Sequence, residues 1–123
     1  MKYLVLIYGN PLSRAAWEGF TDEERAAGLQ AYADLDAELD ASGERIASDR
    51  LADPALTTQV FARDGHLTTT DGPLAETKEF LAGYYLLDCE SRERAVEIAA
   101  RIPEAQVLPV EVRPLMGLYG DEM

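Results

Sequence analysis

A chain of 123 residues is long enough for one domain with one core and too short for two. With 23 Asp and Glu against 11 Lys and Arg, its net charge of -12 excludes binding to a nucleic-acid backbone or an anionic membrane surface, both of which need a basic patch. The single cysteine excludes an internal disulfide, so the expected compartment is the cytoplasm.

Lys2 to Tyr8 reads as a first strand without polar alternation, with Tyr3, Val5 and Ile7 on one face and Leu4, Leu6 and Tyr8 on the other. Its apolar run is too short for a signal-peptide core or for the ~20 residues of a membrane span. Gly9, Asn10 and Pro11 stop it, and Ser13 is placed to cap a short turn of helix carrying Trp17 and Phe20. Thr21 with Glu24 forms a capping box, so a helix starts at Asp22 and runs along Leu29, Tyr32, Leu35 and Leu39 to the stop at Ser42 and Gly43.

Arg45 to Leu51 reads as a strand with Ile46 buried, ended by Asp53 and Pro54. Thr57 to Arg63 and His66 to Thr70 pair across Asp64-Gly65, the strongest hairpin signal in the chain. Asp71, Gly72 and Pro73 then turn the chain. Glu76, Lys78 and Glu79 lead into Phe80 to Cys89, a strand that is apolar on both faces and so central in its sheet. Ser91 caps a helix through Ala95, Ile98, Ala99 and Ile102, and Val107 to Arg113 is the last strand, with Pro109 confining its beginning to a sheet edge or bulge.

This order predicts an α+β domain of ferredoxin-like βαββαβ type with an inserted β-hairpin. Two helices cover one face of such a sheet, which leaves the other face of the doubly apolar strands bare. The expected cover is a second copy in a two-fold homodimer, sheets face to face.

The opening MKYLVLIYG, the Trp17 to Tyr32 helix, the string DGPLAETKEFLAGYYLLD and the closing VEVRPL together resemble the YCII-related family, specifically its DGPF subgroup, over nearly the whole chain. Leu74 stands where the name of the subgroup has Phe. The resemblance implies a dimeric α+β barrel of ferredoxin-like subunits, with residues 1–116 as the domain and 117–123 as a loose tail. Some members of the wider family carry a His and Asp pair in a pocket. Members of the subgroup are often labelled transcription initiation proteins and associated with sigma factors.

His66, the only histidine, comes directly after the hairpin turn and is expected to be exposed, so that His and Asp pair has no evident counterpart here. One His and one Cys in separate strands have no metal-ligand spacing, and neither a metal nor a cofactor is expected. Cys89 reads as an inert small hydrophobe.

The functional expectation rests on the Asp71 turn and the charged segment after it. Asp71 and Glu76 line a pocket beside the central strand as general acid and base, Lys78 holds an anionic group of a small molecule, and Tyr8 and Tyr84 wall the pocket, with Tyr85 a further wall. The plainer reading of the same residues is a turn and a solvated ion pair. Two functions are open: a small-molecule binder or acid–base enzyme with its pocket at the dimeric sheet interface, or a non-catalytic accessory protein that binds a partner such as a sigma factor.

Overall fold

The computed structural model describes residues 1–73, 78–118 and 120; Glu76, and residues 119 and 121–123 of the expected tail, lie outside them. Strand β1 spans Lys2–Gly9, helix α1 Pro11–Glu18 and helix α2 Asp22–Ser42, with strand β2 next at Arg45–Arg50. Strands β3 (Thr58–Arg63) and β4 (His66–Asp71) form the hairpin. Strand β5 (Phe80–Asp88), helix α3 (Arg92–Ala100) and strand β6 (Glu111–Pro114) complete the chain. The main sheet has four strands in the order β2-β5-β1-β6, with every neighbouring pair antiparallel. The expected βαββαβ connectivity is therefore present, with the hairpin between the second and third strands of the sheet. The sheet is open, with β2 and β6 at its edges.

Local chemistry explains where the helices begin and end. The Thr21 hydroxyl accepts from the Glu24 N–H and the Glu24 carboxylate accepts from the Thr21 N–H, closing the capping box of α2. Gly43 ends that helix in the left-handed conformation, at φ 78°. For α1 the expected cap is corrected. Asn10 is the N-cap and Ser13 sits three residues in, completing a box of its own, because Pro11 is suited to the first helical position. The helix is also longer than one turn and stops before Phe20.

One core results. Tyr3, Val5 and Ile7 of β1, with Tyr85 and Leu87 of β5, pack against Leu35 and Leu39 of α2 and Ala95, Ile98 and Ala99 of α3. Val5, Leu35, Leu39, Leu87, Ile98 and Ile102 are fully buried, each contributing roughly 1.5–3 kcal/mol of transfer free energy. At the helix–sheet contact, the Tyr32 and Tyr85 rings stack 6.5 Å apart and 4° from parallel. The Tyr32 hydroxyl donates to Glu104 and the Tyr85 hydroxyl to Asp36. Burial first, and the carboxylate acceptor second, push both phenols up from their ordinary value. Arg94 of α3 clasps Glu44 through two hydrogen bonds of 2.8 and 2.9 Å, locking the end of α2 to α3.

Two expectations about strands are corrected. Ile46 is not buried but 48% exposed, because the ladder to β5 is irregular between Arg45 and Ala47 and takes Ile46 out of register. The last strand starts at Glu111, four residues later than expected: Pro103–Gln106 form a 3-10 turn and Pro109 has no N–H to give the ladder. Among the described residues the inserted hairpin forms a sheet of its own, β3 and β4 pairing only with each other. Its turn is as the sequence predicts, with Asp64 and Gly65 both left-handed, at φ 51° and 78°.

Candidate functional site

The C-terminal end of β1 meets the N-terminal ends of β5 and β6, and chain chemistry concentrates there. Strand β1 alternates strictly: Tyr3, Val5, Ile7 and Gly9 are buried, while Leu4, Leu6 and Tyr8 are half-buried on the opposite face. On that opposite face Leu4 lies beside Leu86 and Arg113, and Leu6 beside Tyr84 and Glu111. A register shift between Ile7 and Tyr8 brings Tyr8 opposite Leu81. An apolar stripe thus runs along the centre of the face, and charged residues of the edge strands border it: Asp49 beside Tyr84 on one side, Glu111 and Arg113 on the other. None of Leu4, Leu6, Tyr84 or Leu86 belongs to the helix-covered core.

At the end of this stripe Tyr8, Lys78, Glu79, Leu108, Pro109 and Glu111 line a groove of about 510 Å³, within the range of roughly 300–1,000 Å³ usual for small-molecule sites. The Glu111 carboxylate beside the Tyr8 hydroxyl, with desolvation, pushes the phenol above its ordinary value of 10.0. Tyr8 is therefore a neutral O–H donor at physiological pH, Glu79 and Glu111 offer acceptors, and Lys78 offers an ammonium. Leu108 and Pro109 supply apolar wall. Such a groove can hold a small polar molecule.

Of the residues expected from sequence, the structure brings together Tyr8 and Lys78. Tyr84 is on the same face, next to Leu6 in the ladder, but outside the groove lining. Asp71 is exposed at the end of β4, opposite Thr58, and is also outside that lining. The turn after it is closed by other groups: the Gly72 N–H donates to the Thr57 carbonyl at 2.7 Å, and the Gln59 side-chain amide donates to the carbonyls of Gly72 and Pro73 at 2.9 and 2.8 Å. Glu76 falls outside the described residues. Tyr85 belongs to the helix side rather than to this face.

His66 is exposed beside the hairpin turn, as expected. The buried Cys89 thiol donates to the Ser91 carbonyl at 3.5 Å, and burial pushes its pKa up, away from a reactive thiolate. Among the described residues no group of three or more His, Cys, Asp or Glu side chains is placed to hold a metal ion. Nor is any helix among them long and apolar enough to cross a membrane.

Sequence reading finds Glu79 in the charged segment before β5 but misses Glu111, and it brings neither beside Tyr8. Glu111 is visible as the polar step between Val110 and Val112, but its role depends on the pairing of β6 with β1, a contact across about a hundred residues that no local pattern encodes.

Residues 1–118 match the YCII-related domain. Along 121 residues the chain is 34% identical to an uncharacterized protein of Rhizobium meliloti (strain 1021), an alignment that covers 97% of this chain and 94% of that protein.

Proposed function

The chain belongs to the YCII-related family, and from that premise we propose that it binds a small polar molecule in the groove formed by Tyr8, Lys78, Glu79 and Glu111. The observation that carries this reading is the convergence, at the end of an apolar sheet face, of a neutral phenol donor, two carboxylates and a lysine around the same groove. The DGP-x-AETKE string supports placement in the DGPF subgroup, and the strand order supports a ferredoxin-like subunit. A second copy laid face to face on Leu4, Leu6, Tyr84 and Leu86 would close the groove and form the dimeric α+β barrel in the cytoplasm. Acid–base work, where it occurs, is assigned to Tyr8 with Glu111. Asp71 and Glu76 enter as charged groups on the segment that leads into Lys78.

A thermal-shift screen of a metabolite library tests the reading, since a ligand bound only by the native state at about 100 times its Kd adds about 2.7 kcal/mol. Tyr8→Phe and Lys78→Met are expected to fold normally and to lose the response; a hit that both variants retain rules out the groove as its binding site. Asp71→Asn and Glu76→Gln decide whether those carboxylates reach the ligand: each should weaken the response if they do and leave it unchanged if they serve only the turn.

A further inference from the structure

A second groove lies at the same end of the sheet but on its other side. Tyr8 faces the bare side, so Gly9, the next residue, faces the helices. The Phe80 ring lies over Gly9 so closely that a Cβ there would sit 2.8 Å from it. On this side Arg14, Trp17 and Glu18 of α1, the segment Leu51 to Pro54 after β2, and Phe80 line an open groove of about 300 Å³.

The Arg14 guanidinium is 5.1 Å above the centre of the Phe80 ring. Among the described residues its ion-pair contact is to Asp53 at 3.3 Å, with both side chains substantially exposed. The contact joins one nitrogen to one oxygen, and among the described residues the Arg14 guanidinium makes no two-point pair with a carboxylate. Three other arginines are more fully engaged. Arg45 and Arg94 each hold a carboxylate by paired hydrogen bonds, and Arg25 is spent on the carbonyls of Trp17 and Glu18. Arg14 keeps the planar donor fork that matches a carboxylate, at the edge of a groove walled by an indole, a phenyl ring, Leu51 and Pro54.

We propose that this groove binds a monocarboxylate carried on a planar ring, the carboxylate on Arg14 and the ring against Trp17 and Phe80. A volume at the small end of the usual range selects a single ring. One arginine facing Asp53 and Glu18 selects a single negative charge over a phosphate, in a protein whose net charge is already -12.

Trp17 is the only tryptophan, so intrinsic fluorescence reports on this groove alone. The probe is benzoate, added to the full chain with excitation on the red edge of the indole band. Benzoate should change Trp17 emission saturably, while benzamide, which has the ring without the charge, and inorganic phosphate should not. Arg14→Gln should weaken benzoate at least tenfold, Arg14→Lys should weaken it by less, and Asp53→Asn should tighten it by removing the competing carboxylate. Melting curves on each variant separate loss of binding from loss of fold, and Asp53→Asn gives a gain that misfolding cannot imitate. A linear, unsaturable response, an equal response to benzamide, or unchanged binding in Arg14→Gln overturns the proposal. Tyr8→Phe should leave the benzoate response intact, so the two grooves fail or survive separately.

Discussion

The two faces of the four-stranded sheet have the same kind of residues and different fates. On the helix side Tyr3, Val5, Ile7, Tyr85 and Leu87 are no more than 4% exposed. Their immediate neighbours Leu4, Leu6, Tyr84 and Leu86, one residue along the same strands, remain half-exposed. Alternation along a strand assigns each residue to a face, but it does not supply the cover; α2 and α3 do that for one face alone. Apolar composition therefore states how much cover a strand needs, and topology decides how much of it the chain provides.

The sharpest test of that difference is one substitution on each face. Leu39→Ala, under the covered side, opens a cavity and should cost about 2–5 kcal/mol in urea denaturation. Leu86→Asp, on the bare side, should leave the fold intact and instead convert a dimer to a monomer in sedimentation velocity. Wild-type protein that sediments as a monomer at micromolar concentration would break the contrast, because the bare face would then need no partner.

A smaller effect comes from the clasp that holds the helices to each other. The Arg94 guanidinium hydrogen-bonded to Glu44 holds its carboxyl at about 2, against an ordinary 4.5. A lowered folded-state pKa means that the contribution is complete above pH 4.5 and is lost as pH falls toward 2. That contribution is at most about 3 kcal/mol. Glu44→Gln should flatten the acid limb of the stability profile; an unchanged limb would assign it to other carboxylates.

The tyrosines give the opposite sign. Tyr32 and Tyr85 have raised pKa values, so their contribution is complete below pH 10 and disappears as pH rises beyond it. Absorbance titration of the phenolates should therefore show late-titrating tyrosines whose ionisation coincides with unfolding. Tyr85→Phe should remove part of that coincidence and cost about 1 kcal/mol at neutral pH, with the Asp36 carboxylate losing its donor.

The smallest expected change is Tyr8→Phe. On the bare side its hydroxyl lies with Glu111 at the rim of a groove, so global stability should shift by less than about 0.5 kcal/mol. A larger loss would move Tyr8 from the site to the scaffold.

The parts of this fold that are legible in the sequence are those decided within a few residues. Thr21 with Glu24, Gly43, Ser91 and the Asp64-Gly65 turn all act where the local pattern places them, because caps and tight turns are local hydrogen-bond and φ requirements. The β1 and β5 strands are legible for the same reason, from length and apolar content. Ile46 is misplaced by its sequence pattern because a bulge is a property of two strands, and a linear sequence shows one strand at a time. The site is half legible. Tyr8 and Lys78 stand out from their own surroundings, yet Glu111 comes to Tyr8 through a long-range register, and the environment of Arg14 depends on α1 folding back beside Phe80.

The β3–β4 hairpin carries one further consequence, which concerns how such chains can change length. Every residue of β3 and β4 except Gln59 is exposed, and the hydrogen bonds that tie its root, from Gly72 to Thr57 and from Gln59 to Gly72 and Pro73, lie at the end away from the turn. Adding or deleting one residue from each arm moves the turn outward or inward and keeps the paired ladder, with the root untouched. An unmatched single residue instead forces a bulge or turns one arm over. Length variation among relatives should therefore fall beside the Asp64-Gly65 position in steps of two, and a foreign peptide spliced there should leave the main sheet's melting temperature unchanged.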